Sequence, residues 1–146
     1  MELIAKTFCE LTAAEVYEII KSRTEIFLFE QNIMCMDLDD VDYRSLHCYF
    51  TDGKRVIAYL RAFPDKNAPD SVTVGRVLTL THGIGMGREL MEKSVRAIEE
   101  HFNCRRIVLH AQKKAAGFYD KLGFKTVSEE FYEAGIPHVM MEKDII

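Results

Sequence analysis

The 146-residue sequence contains no tryptophan, only three prolines and four cysteines, and no long apolar run. Because no hydrophobic stretch approaches the roughly 20 residues that a membrane-spanning helix needs, we expect no membrane association. The four cysteines, Cys9, Cys35, Cys48 and Cys104, form neither a C-x-x-C pair nor a zinc-ligand spacing. Unpaired thiols persist in a reducing compartment, so this composition predicts a cytoplasmic protein without a metal centre.

The chain also lacks an excess of basic residues. Its 19 Lys and Arg stand against 23 Asp and Glu, which gives a formal net charge of -4. Proteins that bind nucleic acid usually present a basic stripe, so we expect no nucleic-acid partner. Since 48% of the residues are hydrophobic, the composition predicts a single domain over residues 1–146 that buries roughly two thirds of its unfolded surface.

Local patterns in the first half of the chain predict a helix and then a hairpin. Leu3, Ile4 and Phe8 indicate an opening strand, and the capping box Thr12–Glu15 predicts a helix that continues to about residue 29. Two β-rich runs, 47–51 and 55–63, then flank Asp52-Gly53. That dipeptide is typical of tight hairpin turns because it tolerates positive φ.

The second half alternates strands with helices. Residues 72–79 alternate in polarity as an antiparallel strand does, and Gly75 within them indicates a bulge. A helical stripe follows over 87–102, and the apolar run 105–110 predicts a buried parallel strand. A short helix is then predicted over Ala115–Leu122.

The chain ends with a second predicted hairpin. Gly123 stands where a helix C-terminus favours glycine, and Phe124–Tyr132 and His138–Asp144 would pair around Ala134-Gly135-Ile136-Pro137. Together these elements predict an α+β domain built on a mixed, twisted sheet of about six to seven strands. Its helices are expected on both faces of the sheet.

The most distinctive segment, HGIGMG over His82–Gly87, joins a strand to an amphipathic helix; we call it the glycine turn. Glycine lets backbone N–H groups face a ligand without obstruction by Cβ, and the helix adds unpaired first-turn donors and the positive end of its dipole. The turn therefore predicts an anion site. It is neither a Rossmann fingerprint nor a P-loop, because Arg88 stands at the third-glycine position and no G-K-[ST] is present.

About thirty residues later comes GFYDKLGF, Gly117–Phe124, a short helix that carries a phenol and ends at glycine. Together with the glycine turn it resembles the cofactor-binding core of the GNAT acetyltransferase superfamily. The family pattern [QR]-x-x-G-x-[GA] is met by Gly85 and Gly87, whereas its first position falls on His82. Similarity to the ElaA-like branch of the family covers nearly the whole chain, through Arg23, Phe27, Glu30-Gln31-Asn32, Asp39, His47, Val74–Val77, Ala111-Gln112, Phe118-Tyr119 and Glu133–His138.

This resemblance implies the acyl-CoA N-acyltransferase fold, with a splayed central strand pair and acetyl-CoA (coenzyme A) as cofactor. Strand amides would then face the thioester carbonyl, where negative charge develops, and the glycine turn would hold the pyrophosphate. Tyr119 would be the general acid that protonates the leaving thiolate. The implied cofactor contacts are Val77, Leu78, Thr79, His82, Gly83, Ile84, Gly85, Met86, Gly87, Arg88, Gln112, Phe118 and Tyr119.

An acceptor amine arrives protonated and needs a base. Glu30, at the end of the first helix, is the leading candidate for that base, and Asp39, His47 and His138 are the other candidates. The acidic loop, defined as Asp37–Asp42, could attract a cationic amine, but it breaks the EF-hand pattern at Val41. The candidate substrate-binding residues are Glu30, Asp39, His47, Arg76 and His138.

The sequence therefore predicts an N-acetyltransferase that acts on a small-molecule or peptide amine by direct attack on the thioester. A homodimer is compatible with the same patterns. A non-catalytic acyl-CoA-binding or regulatory module of the same fold is the alternative. A protein-binding domain without a cofactor is a third hypothesis.

Overall fold

The computed structural model describes residues 1–145; Ile146, which the predicted domain includes, lies outside the described residues. Eight strands form one sheet in the order β1-β2-β3-β4-β5-β8-β6, and β7 pairs with β8. The strands are β1 (Ile4–Thr7), β2 (Leu46–Thr51), β3 (Val56–Pro64), β4 (Ser71–Thr79), β5 (Arg106–Gln112), β6 (Lys125–Thr126), β7 (Phe131–Glu133) and β8 (Ile136–Asp144).

Three α-helices pack on this sheet, with shorter helical turns between the elements. They are α1 (Ala13–Arg23), α2 (Met86–Phe102) and α3 (Ala116–Lys121); a π-helical turn covers Thr24–Glu30, and 3-10 turns cover Phe8–Glu10, Val41–Arg44 and Lys113–Ala115. No helix within residues 1–145 is both long and apolar enough to cross a membrane.

Neighbouring strands are antiparallel except β4 and β5, which are joined through α2 and run parallel. Both predicted hairpins are present, and the residues that turn the chain have positive φ: Gly53 at +94°, and Ala134 and Gly135 at +53° and +75°. The capping box at Thr12–Glu15 also forms, because each side chain binds the other residue's backbone N–H. These turns were predictable since their determinants lie within four residues of one another.

The sheet has eight strands instead of six or seven because the predicted strand 124–132 is interrupted. β6 ends at Thr126, and Val127 N–H still donates to the carbonyl of Met140 at 2.9 Å. The next backbone hydrogen bond between the two strands is replaced by a bond to a side chain, in which Met140 N–H donates to the Ser128 hydroxyl at 2.9 Å. A serine side chain that accepts in place of a backbone carbonyl ends regular pairing. β7 then resumes at Phe131.

Apolar residues are buried on both faces of the sheet, as predicted. The larger cluster lies between the sheet and α2 and α3, and includes Leu90, Ile98, Tyr119 and Phe124. The smaller cluster lies on the opposite face, where Ile19 of α1 packs with neighbours from the strands. The sheet thus separates an α1 side from an α2 side.

The first helical segment extends to residue 30, as predicted, but its last part is π-helical. Gln31 N–H donates to the carbonyl of Ile26 at 2.8 Å, a spacing of five residues instead of four. Such widened turns occur often at functional sites. This π-helical turn follows α1 and places Phe27 and Gln31 against a cleft on the sheet.

Candidate active site

The two central parallel strands separate in the middle of the sheet. Their pairing runs from Ser71 opposite Arg106 to Val74 opposite Leu109 and then stops. β4 continues to Thr79 along β3, while β5 continues to Gln112 along β8. A wedge-shaped gap therefore opens between them, which is the splayed pair that the family resemblance implied.

A β-bulge in β4 lies where the gap begins. Arg61 of β3 pairs with Gly75, but Tyr59 pairs with Leu78, so two residues of β4 face one residue of β3. The predicted bulge is present, although Arg76 and not Gly75 takes the left-handed conformation, with φ +54°. That conformation costs a non-glycine residue about 1–2 kcal/mol. The Arg76 guanidinium compensates by donating to the carboxylate and carbonyl of Asp37 at 2.7 and 2.8 Å.

Beyond the bulge, alternate amides of β4 face the gap. Leu80 N–H donates to the carbonyl of Ile57 on β3 at 2.8 Å. Because successive residues of a strand direct their N–H groups to opposite edges, Leu78 also faces β3, whereas Val77 and Thr79 face away from it. Two of the three predicted strand amides thus lie on the open edge.

The glycine turn follows β4 at the end of the gap. Gly83 and Gly85 have φ +77° and +79°, and nothing lies within 4 Å of where a Cβ would stand at either residue. α2 then begins at Met86 without a capping side chain. The first N–H groups of α2 therefore have no partner within the helix, in a turn that is open to solvent.

The glycine turn touches the helix that carries Tyr119. A Cβ at Gly87 would lie 3.3 Å from the Phe118 ring and 3.8 Å from the Thr79 methyl group. A side chain at position 87 would require the Phe118 ring to shift by a few tenths of an ångström, so glycine favours this close approach of α2 to α3 and to the end of β4. This contact brings three of the predicted cofactor segments to one place.

A cleft of about 1150 Å³ covers the gap on the α1 side; we call it the central cleft. Its walls come from both ends of the chain and from the strands between them, including the end of β3 and the turn after it. The lining includes Phe27, Leu28 and Gln31 of the π-helical turn, Met36–Asp39, Thr73–Val77, Leu109–Gln112 and Tyr119, and Glu133, Ile136 and His138 of the last hairpin.

Tyr119 reaches the central cleft from the opposite face of the sheet. Its ring packs edge-on against Phe118 and Phe124, with centroids 5.0 and 5.9 Å away, and its side chain is almost fully buried. Burial raises the pKa of the Tyr119 hydroxyl. Because its pKa is raised, the hydroxyl stays protonated at neutral pH. Within residues 1–145 no group hydrogen-bonds it, so it is free to donate.

Gln112 ends β5 at the edge of the cleft. Its Nε2 donates to Oε1 of Gln31 at 3.0 Å, which bridges the gap to the π-helical turn. Gln31 lines the cleft because of this bridge and the widened turn. It was not among the predicted site residues, although Glu30-Gln31-Asn32 matched the family.

His82 and Glu30 form a pair at the mouth of the glycine turn. Nε2 of His82 lies 3.0 and 3.1 Å from the two Glu30 carboxylate oxygens, and Nδ1 lies 3.4 Å from the Thr79 hydroxyl. Both side chains are exposed. The structure thus joins two predicted site residues that are 52 positions apart, while Glu30 is not among the residues that line the central cleft in the described chain.

Three of the four carboxylates in the acidic loop are paired with arginines, and the fourth, Asp40, is exposed and does not line the central cleft within the described residues. Asp39 accepts two bonds of 2.7 Å from Arg61, which is a bidentate pair, and a longer contact of 3.5 Å from Arg76. An acceptor amine could therefore bind Asp39 only in competition with these two arginines. Arg76, also a candidate, finds its acid partners in Asp37 and Asp39.

Arg23 completes this ionic network from α1. It donates at 2.8 Å to Asp37 and at 2.6 Å to Asp42, while Asp42 also accepts from Arg61 at 3.1 Å. Three arginines thus neutralise three aspartates. The sequence could not show this balance, because the partners lie 14 to 39 positions apart on different elements.

We expect the network to lose stability in acid. Bonds from Arg61 lower the pKa of Asp39 to about 2, and the Arg23 bond lowers the pKa of Asp42 although burial alone would raise it. Both pKa values lie below the unfolded value of about 3.9, so this contribution is complete above about pH 4 and is lost as pH falls toward 2. Urea unfolding at a series of pH values should show the loss, and Asp39→Asn should flatten it. Parallel profiles for the two proteins would contradict this account.

Two of the predicted histidines have different surroundings. His47 is buried, its Nδ1 lies 2.7 Å from the Tyr59 hydroxyl and its Nε2 lies 2.9 Å from the Asp42 carbonyl. The structure therefore does not bring His47 to the central cleft. His138 does line the cleft, together with His110 and Glu133, which the sequence analysis did not select.

Comparison with known proteins agrees with this architecture. The sequence matches the family model described as acetyltransferase (GNAT) domain over residues 11–145. ElaA of Escherichia coli is 29% identical over 141 residues, covering 94% of this chain and 92% of ElaA. Its crystal structure superposes with a TM-score of 0.90 at 27% identity, over 98% of this chain and 99% of that one.

Two further solved structures have the same fold. An acyl-CoA N-acyltransferase from Pseudomonas aeruginosa superposes with a TM-score of 0.88 at 28% identity, over 98% of this chain and 99% of that chain. An aminoglycoside 6′-N-acetyltransferase complexed with coenzyme A superposes with a TM-score of 0.72, over 98% and 97% of the two chains. At 13% identity the second likeness concerns the fold alone.

A mixed sheet that opens at a bulge between its central strands, with a glycine turn at the end of the gap, defines the class of acyl-CoA N-acyltransferase folds. Helices on both faces complete that architecture. This chain belongs to the GNAT acetyltransferase family, in its ElaA-like branch. Acyl transfer is the activity of that family.

Proposed function

We propose that this protein is an acetyl-CoA-dependent N-acetyltransferase in which an amine attacks the thioester directly. One observation carries the proposal: the glycine turn, the open edge of β4 and the helix of Tyr119 meet at Gly87, where an added Cβ would lie 3.3 Å from the Phe118 ring. This contact supports the proposal, because a turn suited to an anion, a gap between strands and the helix that carries the phenol adjoin one another.

The residues present fit coenzyme A. The uncapped start of α2 and the open, left-handed glycines Gly83 and Gly85 suit a pyrophosphate group, which needs several N–H donors and close approach of the backbone. The gap between β4 and β5 suits the extended pantetheine chain. A structural neighbour complexed with coenzyme A supports the same cofactor at the level of the fold.

Each residue of the site then has a role in the transfer. Bound acetyl-CoA supplies an activated acetyl group as a thioester. The Val77 and Thr79 amides on the open edge of β4 would stabilise negative charge on its carbonyl oxygen. Tyr119 would donate its proton to the departing sulfur, so that the thiol leaves in neutral form.

The acceptor is proposed to be a primary amine of a small molecule or peptide. Apolar side chains of Phe27, Leu28 and Met36 form the α1 side of the central cleft, while the cleft-lining carboxylates of the acidic loop, Asp37 and Asp39, are paired with arginines. The cleft therefore favours an amine on an apolar body over a polycation, because it offers few unpaired carboxylates.

Two glycines with the same backbone geometry allow a matched test of the cofactor site. Gly85 and Gly53 both have positive φ and open space around them. Alanine at either should cost about 1–2 kcal/mol of unfolding free energy through strain. Only Gly85→Ala should also weaken coenzyme A binding, by about tenfold or more, because tilting one N–H disturbs the anion site.

Calorimetric titration with coenzyme A measures this difference, and thiol release from acetyl-CoA with a panel of primary amines tests turnover. Equal coenzyme A affinity in the two variants would contradict the proposed cofactor site. Tight coenzyme A binding without thiol release would favour the non-catalytic module. That alternative is supported by His82, which pairs with Glu30 and stands where the family pattern has Arg or Gln.

A further inference from the structure

Two imidazoles and one carboxylate meet at the wall of the central cleft formed by β5 and the last hairpin. Nδ1 of His110 lies 2.9 Å from Oε1 of Glu133, and Nε2 of His138 lies 3.7 Å from the other carboxylate oxygen. Of these three residues the sequence offered only His138 as a site candidate, without a partner for it. Glu133 stands between the two rings.

The hydrogen bonds determine which nitrogen of His138 carries the proton. Nδ1 of His138 lies 2.7 Å from the carbonyl oxygen of Ile136, and a carbonyl oxygen can only accept. The Nδ1 position must therefore be protonated. In the neutral ring the lone pair is then on Nε2, which is the position that a base needs.

The ring is also held in place. Its side chain is only 8% exposed, and the Phe131 ring lies stacked beside it with an interplanar angle of 26°. A ring that is oriented by a hydrogen bond and a stacked neighbour loses little entropy when it accepts a proton. The cluster therefore has a preorganised acceptor.

The strand register places His138 opposite Gln112, so the two side chains lie on the same face of the sheet. Gln112 binds Gln31 of the π-helical turn, which identifies this face as the α1 side. Tyr119, by contrast, packs in the core on the α2 side. A thioester in the gap would thus have an acid on one side and a base on the other.

We infer that His138 is the proton acceptor for the attacking amine, and that Glu133 and His110 stabilise its charged form; this rests on the proposed N-acetyltransferase function. Nε2 of His138 takes a proton from the bound ammonium group. The freed nitrogen lone pair forms the new C–N bond, the C–S bond breaks, and the thiolate takes the Tyr119 proton. The second amine proton then passes to solvent, and His138 returns its proton to the Tyr119 phenolate through water.

The charged groups around the ring agree with this role. Glu133 faces it from β7, His110 from β5, and Lys114 lines the same cleft from the 3-10 turn before α3. Across the cleft, Arg76 is paired with Asp37. Glu133 is therefore the anion nearest to the ring, and it favours the imidazolium that forms when the amine is deprotonated.

His138→Gln tests the inference, with His101→Gln on the exposed end of α2 as the matched control. Benzylamine, which binds as an ammonium ion, should lose about 100-fold in kcat/KM with His138→Gln. The acidic limb of its pH profile should move up to the ionisation of the amine itself, because the variant can use only the free amine. Hydroxylamine, which is mostly unprotonated at neutral pH, should lose much less after subtraction of the enzyme-free reaction. The KM for acetyl-CoA should not change in either variant.

Glu133→Gln gives a second readout. Removing the anion takes away the charge that stabilises the imidazolium, so kcat/KM for benzylamine should fall while the KM for acetyl-CoA stays unchanged. Nitrogen-15 NMR of the unchanged protein should show His138 protonated at Nδ1. Protonation at Nε2 in the neutral ring, or a pH profile that His138→Gln leaves unchanged, would overturn the inference. If the unchanged protein releases no thiol with either amine, the proposed function fails and the inference with it.

Discussion

Tyr119→Phe should lower kcat for acetyl transfer by about 100-fold or more while leaving coenzyme A affinity unchanged. Removing a positioned general acid typically costs a factor of 10² to 10⁴. The hydroxyl is the only atom group lost, because the phenylalanine ring keeps its contacts with Phe118 and Phe124. The fold should therefore remain intact.

The chain offers a control for this substitution. Tyr17 is 67% exposed on α1, outside the central cleft, so Tyr17→Phe should leave turnover unchanged. Thiol release measured at saturating acetyl-CoA, with coenzyme A affinity from calorimetry, separates the two variants. Full turnover by Tyr119→Phe would remove the phenol from the proposed mechanism, and the leaving sulfur would then have to take its proton from water.

The pKa of Tyr119 adds a condition on pH. Because burial raises the pKa of the hydroxyl above its ordinary value of about 10, the phenol remains protonated through the neutral range. Titration of Tyr119 therefore cannot produce an acidic limb in the rate profile. Any such limb must come from another group, and the cluster at His138 is the one proposed here.

Arg23→Met should lower the free energy of unfolding by about 3–5 kcal/mol, which is the largest effect on stability that we expect. Arg23 is only 1% exposed, and it donates to the carboxylates of Asp37 and Asp42. Its guanidinium also lies over the Tyr59 ring, 5.7 Å from the centroid. Removing one partner of a buried pair leaves an uncompensated charge, which costs more than the pair itself contributes.

An exposed ion pair provides the contrast. Arg88 and Glu92 are separated by one helical turn at 2.7 Å, with side chains 71% and 55% exposed. Arg88→Met should change stability by less than about 0.5 kcal/mol, because water screens the pair. Urea unfolding of both variants measures the difference. Adding Asp42→Asn to Arg23→Met should recover part of the loss, and a similar small effect for both arginines would contradict the buried network.

The network also connects stability to the site. Asp37 binds both Arg23 of α1 and Arg76 at the bulge, so the acidic loop joins the helix to the point where the gap opens. Loss of Arg23 should therefore loosen the bulge as well as the loop. We expect lower kcat in Arg23→Met at temperatures where the variant is still folded.

Several features were predictable from the sequence because short segments determine them. The capping box at Thr12–Glu15, the turn at Asp52-Gly53 and the glycine at position 123 each depend on the conformational preferences of a few adjacent residues. The glycine turn was predictable for the same reason. The family resemblance added the gap between β4 and β5, which no local pattern contains.

Other features depend on residues that are distant in the chain. The left-handed residue of the bulge is Arg76, beside the predicted Gly75, because its guanidinium reaches Asp37. The break between β6 and β7 depends on a hydroxyl that meets a backbone N–H of another strand. His47 looked like a site residue, but its ring is occupied by Tyr59 and a backbone carbonyl.

The amino-acid sequence by itself determined the order and type of the main elements, the glycine turn and, through family resemblance, the phenol expected to act as acid. Those features follow from backbone preferences and from spacing within a segment. Only the tertiary structure decided which charges are neutralised, which histidine faces the cleft and how the bulge is held. Each of those depends on distances between side chains that folding alone brings together.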